Sequence, residues 1–254
     1  MEAYVAPGDR RQRGKTVPSD RSYYHLVLLA RDMQGYKNLV KLSSLGYTEG
    51  FYGKPRVDRE LLARYSEGII VSSACMAGEV AQHLLAGRPD EARQTAAWYA
   101  EVFKDRYYLE VQAHDAGEQR LLNAQVFDLA ATMNLPVIAT NDAHFLKAED
   151  HDAHDVLLCI GLKKDRLDDN RMHYDRGLYF KSAPEIREHF GTRPDVLENT
   201  LKIADEAGFT FDKTYYVPSF PLPEGVKTEN ELLVELSTTG AKERYGDPLP
   251  THVR

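Results

Sequence analysis

Residues 118–144 read EQRLLNAQVFDLAATMNLPVIATNDAH, and this stretch decides the fold class of the chain. Leu122, Val126 and Leu129 recur at the spacing of one helix face, which predicts a helix over 118–133. Asn134 ends the helical pattern, and Pro136 opens an aliphatic run that predicts a strand over 136–140. A helix that leads directly into an aliphatic strand is typical of α/β proteins.

The same alternation of short apolar runs and longer helical segments continues along the chain. Further strands are predicted at 4–6, 25–30, 68–73 and 107–111. Further helices are predicted at 58–65, 78–85, 90–103 with Asp90 as its cap, 150–160, 184–190, 194–207 and 229–245. From 214 to 225 the density of prolines and aromatics predicts extended chain and a domain boundary. The order of elements therefore predicts an α/β fold.

Composition narrows the class of protein. With 32 Lys and Arg against 39 Asp and Glu, the net charge of −7 makes general attraction to nucleic acid weak, so any DNA contact must be local. No run of eighteen apolar residues is present, and the N-terminal residues lack the pattern of a secretion signal. Two cysteines, Cys75 and Cys159, exclude a disulfide scaffold. We expect a soluble, cytoplasmic protein with no membrane partner.

Asp142 and His144 directly follow the strand predicted at 136–140. Side chains two residues apart in extended chain point to the same side, so this carboxylate and imidazole could share a metal ion. The alternative is a turn aspartate beside a surface histidine. A lone Asp-x-His pair favours that plainer explanation, and only additional candidate ligands nearby would outweigh it.

Other chemically active residues lie in or directly after predicted strands. Glu2 begins the first apolar run, His25 lies within an apolar run, and Cys75 follows the strand at 68–73. Glu110 and His114 bracket the end of another strand, which places His114 near the same edge. Each has an ordinary structural explanation, such as a hydrogen-bonded core histidine or a small buried cysteine. Their joint arrangement favours a site.

A cluster of basic residues and a pair of histidines each have a functional and a structural explanation. Arg10, Arg11, Arg13 and Lys15 lie in an irregular stretch, 10–22, that predicts a mobile surface loop. They could contact DNA phosphates, and a solvated loop is an equally good interpretation. His151 and His154 lie among acidic residues, which predicts a charged and solvated helix start rather than a metal pair.

Seven stretches of the chain resemble, in the same order, the PHP domain (polymerase and histidinol phosphatase type) of bacterial replicative DNA polymerase III alpha subunits. The resemblance runs from residue 1 to about residue 225, and TNDAHF and YHLVLLARD carry its strongest parts. The stretches are MEAYVAPG at 1–8, YHLVLLARD at 24–32, GYKNLVKL at 35–42, KPRVD at 54–58, SACMAGE at 73–79, TNDAHF at 140–145 and DAHDVLLCI at 152–160.

The resemblance implies a distorted barrel of about seven βα units and a metal centre. By motif, the metal ligands implied in this sequence are Glu2, His25, Cys75, Asp142 and His144. In active members such residues help to hold zinc or manganese, which activates water for removal of a 3′-terminal nucleotide. The resemblance also places His114 near the site, as a weak candidate for nucleic-acid contact.

The sequence departs from the family pattern in one respect. In the family, a stretch with a His-x-His pair precedes the strand that carries the acidic ligand, which Glu2 matches here. This sequence contains no His-x-His pair. We therefore expect an incomplete distorted (β/α)7 barrel of PHP type, with residues 1–213 as a partial PHP domain that lacks its first strands. Residues 214–254 are expected to form a Pro-rich exit and a helix leading toward an absent polymerase domain. Metal binding is expected to be weak or partial, and exonuclease activity absent from this chain alone.

The resemblance also implies partners. The full subunit would bind DNA and contact a proofreading exonuclease and the sliding clamp of the replisome. Two other functions stay open at this stage: a non-catalytic scaffold or interaction module, and a stand-alone PHP phosphoesterase. Whether this chain is itself an enzyme is likewise open.

Overall fold

A computed structural model describes residues 1–13, 21–114 and 117–253. Within these ranges one mixed sheet carries six strands. The strands are β1 (Glu2–Val5), β2 (Tyr24–Ala30), β3 (Arg56–Val57), β4 (Ile69–Ser72), β5 (Tyr107–Gln112) and β6 (Val137–Thr140). The α/β class predicted from the sequence is confirmed, and the strands of the described ranges do not close into a complete barrel.

Helices connect most of the strands. They are α1 (Met33–Thr48), α2 (Arg59–Arg64), α3 (Glu79–Leu85), α4 (Pro89–Phe103), α5 (Gly117–Met133), α6 (His151–Leu162), α7 (Ala183–Phe190), α8 (Pro194–Glu206) and α9 (Glu229–Tyr245). Short 3-10 turns at Lys104–Arg106 and Ala148–Asp150 precede β5 and α6. Asn134, just after α5, has φ +53°, a left-handed conformation that asparagine tolerates and that ends the helix.

The strand order is β3-β1-β2-β4-β5-β6. β4, β5 and β6 pair in parallel, whereas β2 runs antiparallel to both β1 and β4. The beginning of β2 therefore lies at the same edge of the sheet as the ends of β4, β5 and β6. His25, near the start of β2, reaches this edge for that reason.

The two faces of the sheet differ in polarity because side chains alternate along a strand. One face packs its apolar residues against helices in the main hydrophobic core, including Val5, Leu28, Val71, Leu109 and Ala139. On the opposite face, Ile70, Tyr108 and Ile138 form a small cluster with Ile203 of α8. Closer to the strand ends, that opposite face becomes polar, with His25, Ser72, Glu110, Gln112 and Thr140.

Side chains from α8 satisfy the outer edge of β6. Asn199 Nδ2 donates to the Val137 carbonyl oxygen at 2.9 Å, and Thr200 Oγ1 donates to the Ala139 carbonyl oxygen at 3.0 Å. An unpaired strand edge attracts other strands, and covering it with a helix is one of the ways proteins avoid this. The open sheet is therefore protected along β6 by its own chain.

Helix α1 and strand β3 were not predicted from the sequence. The two glycines and two adjacent serines of α1 obscured its helical pattern, yet close packing requires at least one of these glycines. A Cβ on Gly35 would lie 1.8 Å from the Gly68 carbonyl oxygen. The Asp32 side chain caps the helix by accepting from the Gly35 N–H at 2.9 Å.

The predicted cap of α4 was wrong. The helix begins at Pro89 after Arg88, and no side chain caps it. Proline at the first helical position has a suitable φ and lacks the N–H that a cap would satisfy, so Asp90 lies inside the first turn. The first strand also begins earlier than predicted, at Glu2 rather than Tyr4.

The chain divides into two compact units, Met1–Thr210 and Phe211–Arg254. In the second unit, residues 211–228 have no helix or strand before α9 begins. The α9 helix has a capping box in which Thr228 Oγ1 accepts from the Glu231 N–H at 3.1 Å, and none of its residues is buried. In the parts of the chain that the structure describes, no helix has the length and apolar character needed to cross a bilayer.

Replacing Tyr107 with phenylalanine should leave the free energy of unfolding unchanged or raise it by up to about 1 kcal/mol. The Tyr107 hydroxyl is buried without a hydrogen-bond partner in the described structure, so its removal leaves nothing unsatisfied. Tyr99 stacks on Tyr107 and donates to Glu79 at 3.4 Å, so Tyr99→Phe is the matched control and should be the more destabilising change. Urea unfolding followed by Trp98 fluorescence compares them, and a clear loss of stability for Tyr107→Phe would contradict this account.

Candidate functional site

The five residues predicted as metal ligands line one cavity. Its volume is about 750 Å³, and its walls include Glu2, His25, Cys75, Asp142 and His144. These residues come from β1, β2, the turn after β4 and the segment after β6, and so are far apart in the sequence. The tertiary structure therefore brings together every member of the predicted set.

Two left-handed residues shape the chain where it enters the cavity. Ala74 has φ +62° and Asp142 has φ +47°, conformations that cost a non-glycine residue energy and often occur at functional sites. Because β6 ends at Thr140 and Asp142 is left-handed, the extended geometry expected for Asp142 and His144 is wrong. Both side chains nevertheless face the cavity.

His25 lies at the centre of one group of contacts. Its Nδ1 is 3.1 Å from Glu2 Oε1 and 3.7 Å from Cys75 Sγ. Its backbone N–H donates to the Ala77 carbonyl oxygen at 3.0 Å, which joins β2 to the turn that carries Cys75. The rings of Tyr4 and Tyr23 pack against the imidazole with centroid distances of 5.4 and 5.9 Å. These contacts hold the imidazole in one orientation.

His144 forms a second group with Asp142. His144 Nδ1 is 2.8 Å from the Asp142 carbonyl oxygen, and its backbone N–H donates to the Leu178 carbonyl oxygen at 2.8 Å. An imidazole that donates from Nδ1 to a carbonyl leaves Nε2 available as a lone-pair donor. The Tyr174 ring lies 4.4 Å from the His144 ring, centroid to centroid.

Burial raises the pKa of two acidic groups in the cavity wall, Cys75 and Asp142. Burial raises the pKa of the Cys75 thiol to about 11, and Asp142, Glu110 and Glu2 add to this effect. Burial also raises the pKa of Asp142, although the nearby His144 opposes the shift. A divalent cation would reverse both effects, because it stabilises the deprotonated forms of its ligands.

His151 and His154 are not solvated as the sequence suggested. His151 Nε2 lies 3.0 Å from the Tyr174 carbonyl oxygen, and the His154 ring packs between Phe145 and Tyr174. Of the acidic neighbours in α6, Asp152 is exposed, whereas Asp155 is buried and pairs with Arg171. The two histidines support the segment that forms one wall of the cavity.

His114 is almost entirely buried at 6% exposure and lines the cavity. Its Nε2 has no hydrogen-bond partner in the described structure. Burial, reinforced by the nearby Lys181 ammonium, lowers the pKa of His114 to about 4. The imidazole is therefore neutral near pH 7.

A buried carboxyl group connects three strands below the cavity. Glu110 Oε1 accepts from Thr140 Oγ1 at 2.6 Å and from Gln112 Nε2 at 3.0 Å, and Oε2 accepts from Ser72 Oγ. Burial raises the pKa of Glu110, while these three hydrogen bonds oppose the shift. The sequence placed Glu110 beside the end of β5 without indicating this network.

Arg10 does not lie on a solvated loop. It is 3% exposed, and its guanidinium contacts Asp58 at 2.9 Å, Glu49 at 2.6 Å and Glu60 at 3.0 Å. Although burial opposes the charge, hydrogen bonds to these carboxylates raise the pKa of Arg10. Because its donors are occupied by carboxylates, we do not retain Arg10 as a phosphate contact.

The other members of the basic cluster differ from Arg10. Arg11 and Arg13 are exposed, and Arg11 pairs with Glu49 at 2.9 Å. Lys15 lies outside the described residues, as does much of the stretch predicted as a mobile loop. Arg56, missed in the sequence, is buried and donates to the Arg10 and Gln12 carbonyl oxygens at 2.8 and 2.7 Å. This segment is therefore fixed by Arg56 and Arg10 together.

The cavity fits a divalent metal ion in ligand type and in pair spacing. Imidazole, carboxylate and thiolate all bind zinc, and two ligands of one tetrahedral ion lie about 3.4 Å apart. The 3.1 Å and 3.7 Å separations around His25 Nδ1 lie on either side of that value. In the described ranges, no three histidine, cysteine, aspartate or glutamate side chains are grouped as ligands of one ion. Ligand pairs are therefore spaced for a metal, and a complete ligand shell is not formed among these residues.

Several wall residues were missed in the sequence analysis. Tyr4, Tyr23, Gln112, His173, Tyr174 and Asp175 also line the cavity. Alternation along β1 and β5 could have identified Tyr4 and Gln112, because each is two residues from a residue already singled out. His173, Tyr174 and Asp175 lie in a segment without helix or strand, and no periodic signal could have found them.

Comparison with known proteins finds similarity to the PHP domain and to DNA polymerase III alpha subunits. A model of the PHP domain matches residues 1–114. The DNA polymerase III alpha subunit of Deinococcus radiodurans is 39% identical over 264 residues, which cover 99% of this chain and 19% of that protein. The alpha subunit of Thermus aquaticus is 40% identical over 258 residues, which cover 97% of this chain and 21% of that protein. The alpha subunit of Borreliella burgdorferi is 37% identical over 249 residues, which cover 96% of this chain and 22% of that protein. The chain thus spans about a fifth of the length of these relatives.

Replacing Arg10 with methionine should lower the free energy of unfolding by about 3 kcal/mol or more. The change leaves the buried Asp58 carboxylate without its charged partner. Arg11→Met is the matched control, because Arg11 is exposed, and its effect should stay within about 0.5 kcal/mol. Urea unfolding measures both, and equal stability of the two variants would refute the assigned role of Arg10.

Loss of the His114 imidazole should change how stability depends on pH. Its folded-state pKa of about 4 lies below the ordinary 6.5, so between these values the unfolded chain binds a proton that the folded chain does not. The stability associated with neutral His114 is complete above pH 6.5 and falls as the pH drops towards 4. His114→Gln should therefore lose less stability than the parent between pH 7 and pH 4.5.

Urea unfolding in the presence of a chelator measures this pH dependence. His189→Gln removes an exposed imidazole on α7 and is the matched control. Its free energy of unfolding should change with pH as that of the parent protein does. Parallel profiles for His114→Gln and the parent would contradict the buried, neutral state of His114.

Proposed function

Because the chain belongs to the PHP-domain family of DNA polymerase III alpha subunits, we propose that its cavity is a divalent metal site serving DNA replication. The observation that carries this proposal is the convergence of Glu2, His25, Cys75, Asp142 and His144 on one cavity. PHP domains are in general metal-dependent. We propose zinc or manganese as the ion, and residues 1–213 as the domain that binds it.

The proposed ligands form two groups. Glu2 and Cys75 each lie close to His25, and Asp142 and His144 come from the segment after β6. When bound, such an ion would activate water and stabilise negative charge on phosphoryl oxygens. The chain's own residues orient the ligands: Tyr4 and Tyr23 restrict the His25 ring, and the Asp142 carbonyl restricts His144.

Metal affinity is proposed to be weak in this chain, and exonuclease activity to be absent. The pairwise spacing around His25 supports binding, and the lack of three grouped ligands among the described residues supports low affinity. That same lack favours the second candidate function, a non-catalytic scaffold or interaction module. Titration of the purified protein with a divalent metal separates the two, since a scaffold would bind none.

Partners of the longer relatives are proposals for this chain. We propose that DNA, a proofreading exonuclease and a sliding clamp are contacted through a larger polypeptide. Arg11, Arg13 and His114 remain candidates for DNA contact, because the two arginines are exposed and His114 faces the cavity. Lys15 remains a candidate from its sequence alone. We also propose a cytoplasmic location and residues 214–254 as the connection to further chain.

Titration with Co²⁺ tests the metal site, because a thiolate ligand gives a charge-transfer band. The parent protein should develop this band, and Cys75→Ser should lose it. Cys159→Ser is the matched control, because Cys159 is buried in α6 and does not line the cavity. It should retain the band of the parent.

Two outcomes would contradict the proposal. A parent protein that binds no Co²⁺, and carries no zinc or manganese when purified, would support the scaffold function. A Cys75→Ser variant that keeps the band would place the metal elsewhere. Zinc-dependent release of nucleotides from single-stranded DNA by the parent would show that the chain is active and would overturn the expected lack of activity.

A further inference from the structure

The geometry points to Glu110 as the positioning residue of the metal site, acting through the strand ends that deliver its ligands. This inference rests on the proposed function. Glu110 does not line the cavity and is not proposed as a ligand. Its role would be to keep three neighbouring strand ends in the relation that brings Cys75 and Asp142 together.

The contacts of Glu110 extend to both neighbouring strands. Oε2 accepts from Ser72 Oγ at the end of β4, and Oε1 accepts from Thr140 Oγ1 at the end of β6. Within β5, Oε1 also accepts from Gln112 Nε2. The Glu110 backbone N–H donates to Ser73 Oγ at 2.9 Å, which adds a second connection to the chain after β4.

Each residue that Glu110 holds shortly precedes a residue of the cavity wall. Ser72 and Ser73 are followed by Ala74 and Cys75, and Thr140 is followed by Asn141 and Asp142. Gln112 itself lines the cavity. The Glu110 carboxyl group thus fixes the chain just before both segments that carry proposed ligands, the turn after β4 with Cys75 and the segment after β6 with Asp142.

The strained backbone next to these contacts supports the same conclusion. Ala74 and Asp142 both have positive φ, and such conformations persist only where surrounding structure over-determines them. The Glu110 hydrogen bonds fix the chain one or two residues before each strained residue. Without these bonds, both turns could relax to ordinary conformations and turn their side chains away from the cavity.

A role in stability alone explains Glu110 poorly. It is 7% exposed, and its hydrogen-bond donors are neutral hydroxyl and amide groups rather than a cation. Burying a carboxyl among neutral donors is less favourable than burying an apolar side chain of similar size. Directional hydrogen bonds to three strands are what an apolar side chain could not provide.

Glu110→Gln and Glu110→Leu test the inference by two measurements. Glutamine keeps an acceptor for Thr140 and Gln112, so its Co²⁺ affinity should remain within about threefold of the parent. Leucine removes all three bonds and should weaken Co²⁺ binding by about tenfold or more, with loss of the thiolate band. The second measurement, made without metal in the Cys159→Ser background, is the alkylation rate of Cys75, which Glu110→Leu should increase.

Glu79→Leu is the matched control, because Glu79 is also largely buried, bonds Arg59 at 3.0 Å, and does not line the cavity. It should lower stability without changing Co²⁺ affinity or Cys75 alkylation. If Glu110→Leu does not fold by circular dichroism, Thr140→Val and Ser72→Ala remove one bond each. Thr140→Val should weaken Co²⁺ binding, and Ser72→Ala should speed alkylation of Cys75.

The inference and the proposed function fail in different ways. If the parent binds no Co²⁺, the metal proposal fails, and the alkylation rates still decide whether Glu110 positions Cys75. If a folded Glu110→Leu variant matches the parent in Co²⁺ affinity and alkylation, or Glu79→Leu has the same effects, the positioning role is refuted.

Discussion

Alternation of side chains along the strands is the constraint on which the rest of the structure depends. One face of the sheet is apolar, and its residues, such as Leu28, Val71 and Leu109, pack against the helices. The other face becomes polar towards one edge, where His25, Ser72 and Glu110 lie. A shift of one residue in any one strand would move that strand's apolar side chains out of the core and its polar side chains into it.

Two networks of buried polar groups, one around Arg10 and one around Glu110, fix the positions of the chain segments that they join. Arg10 joins the carboxylates of Glu49, which caps the end of α1, Asp58, which caps the start of α2, and Glu60 within α2, while Glu110 joins three strands. Such a network lowers the stability of the fold when one member is missing, because a buried polar group is left unpaired. When it is complete, it fixes one arrangement of the side chains. One network fixes the segment near residue 10, and the other lies directly below the proposed metal ligands.

The relation to DNA polymerase III alpha subunits and the geometry of the cavity support one another from independent observations. The Deinococcus radiodurans relative matches 99% of this chain, and the structure brings the five residues proposed as metal ligands to one cavity. The spacing around His25 suits a bound ion, whereas the described residues do not form a complete ligand shell. Weak metal binding reconciles these findings, with a scaffold as the competing function.

Local sequence patterns determined the α/β class, most helices and the five cavity residues, because periodicity and motifs depend on near neighbours. The stop at Asn134 and the strand after Pro136 are of this kind. Only the tertiary structure decided that β2 runs antiparallel, that Arg10 is buried, and that Asp142 is left-handed. It also decided that Glu110 connects β4 to β6. These features depend on contacts between residues 30 or more positions apart, such as Ser72 and Thr140 with Glu110, and no local pattern records such contacts.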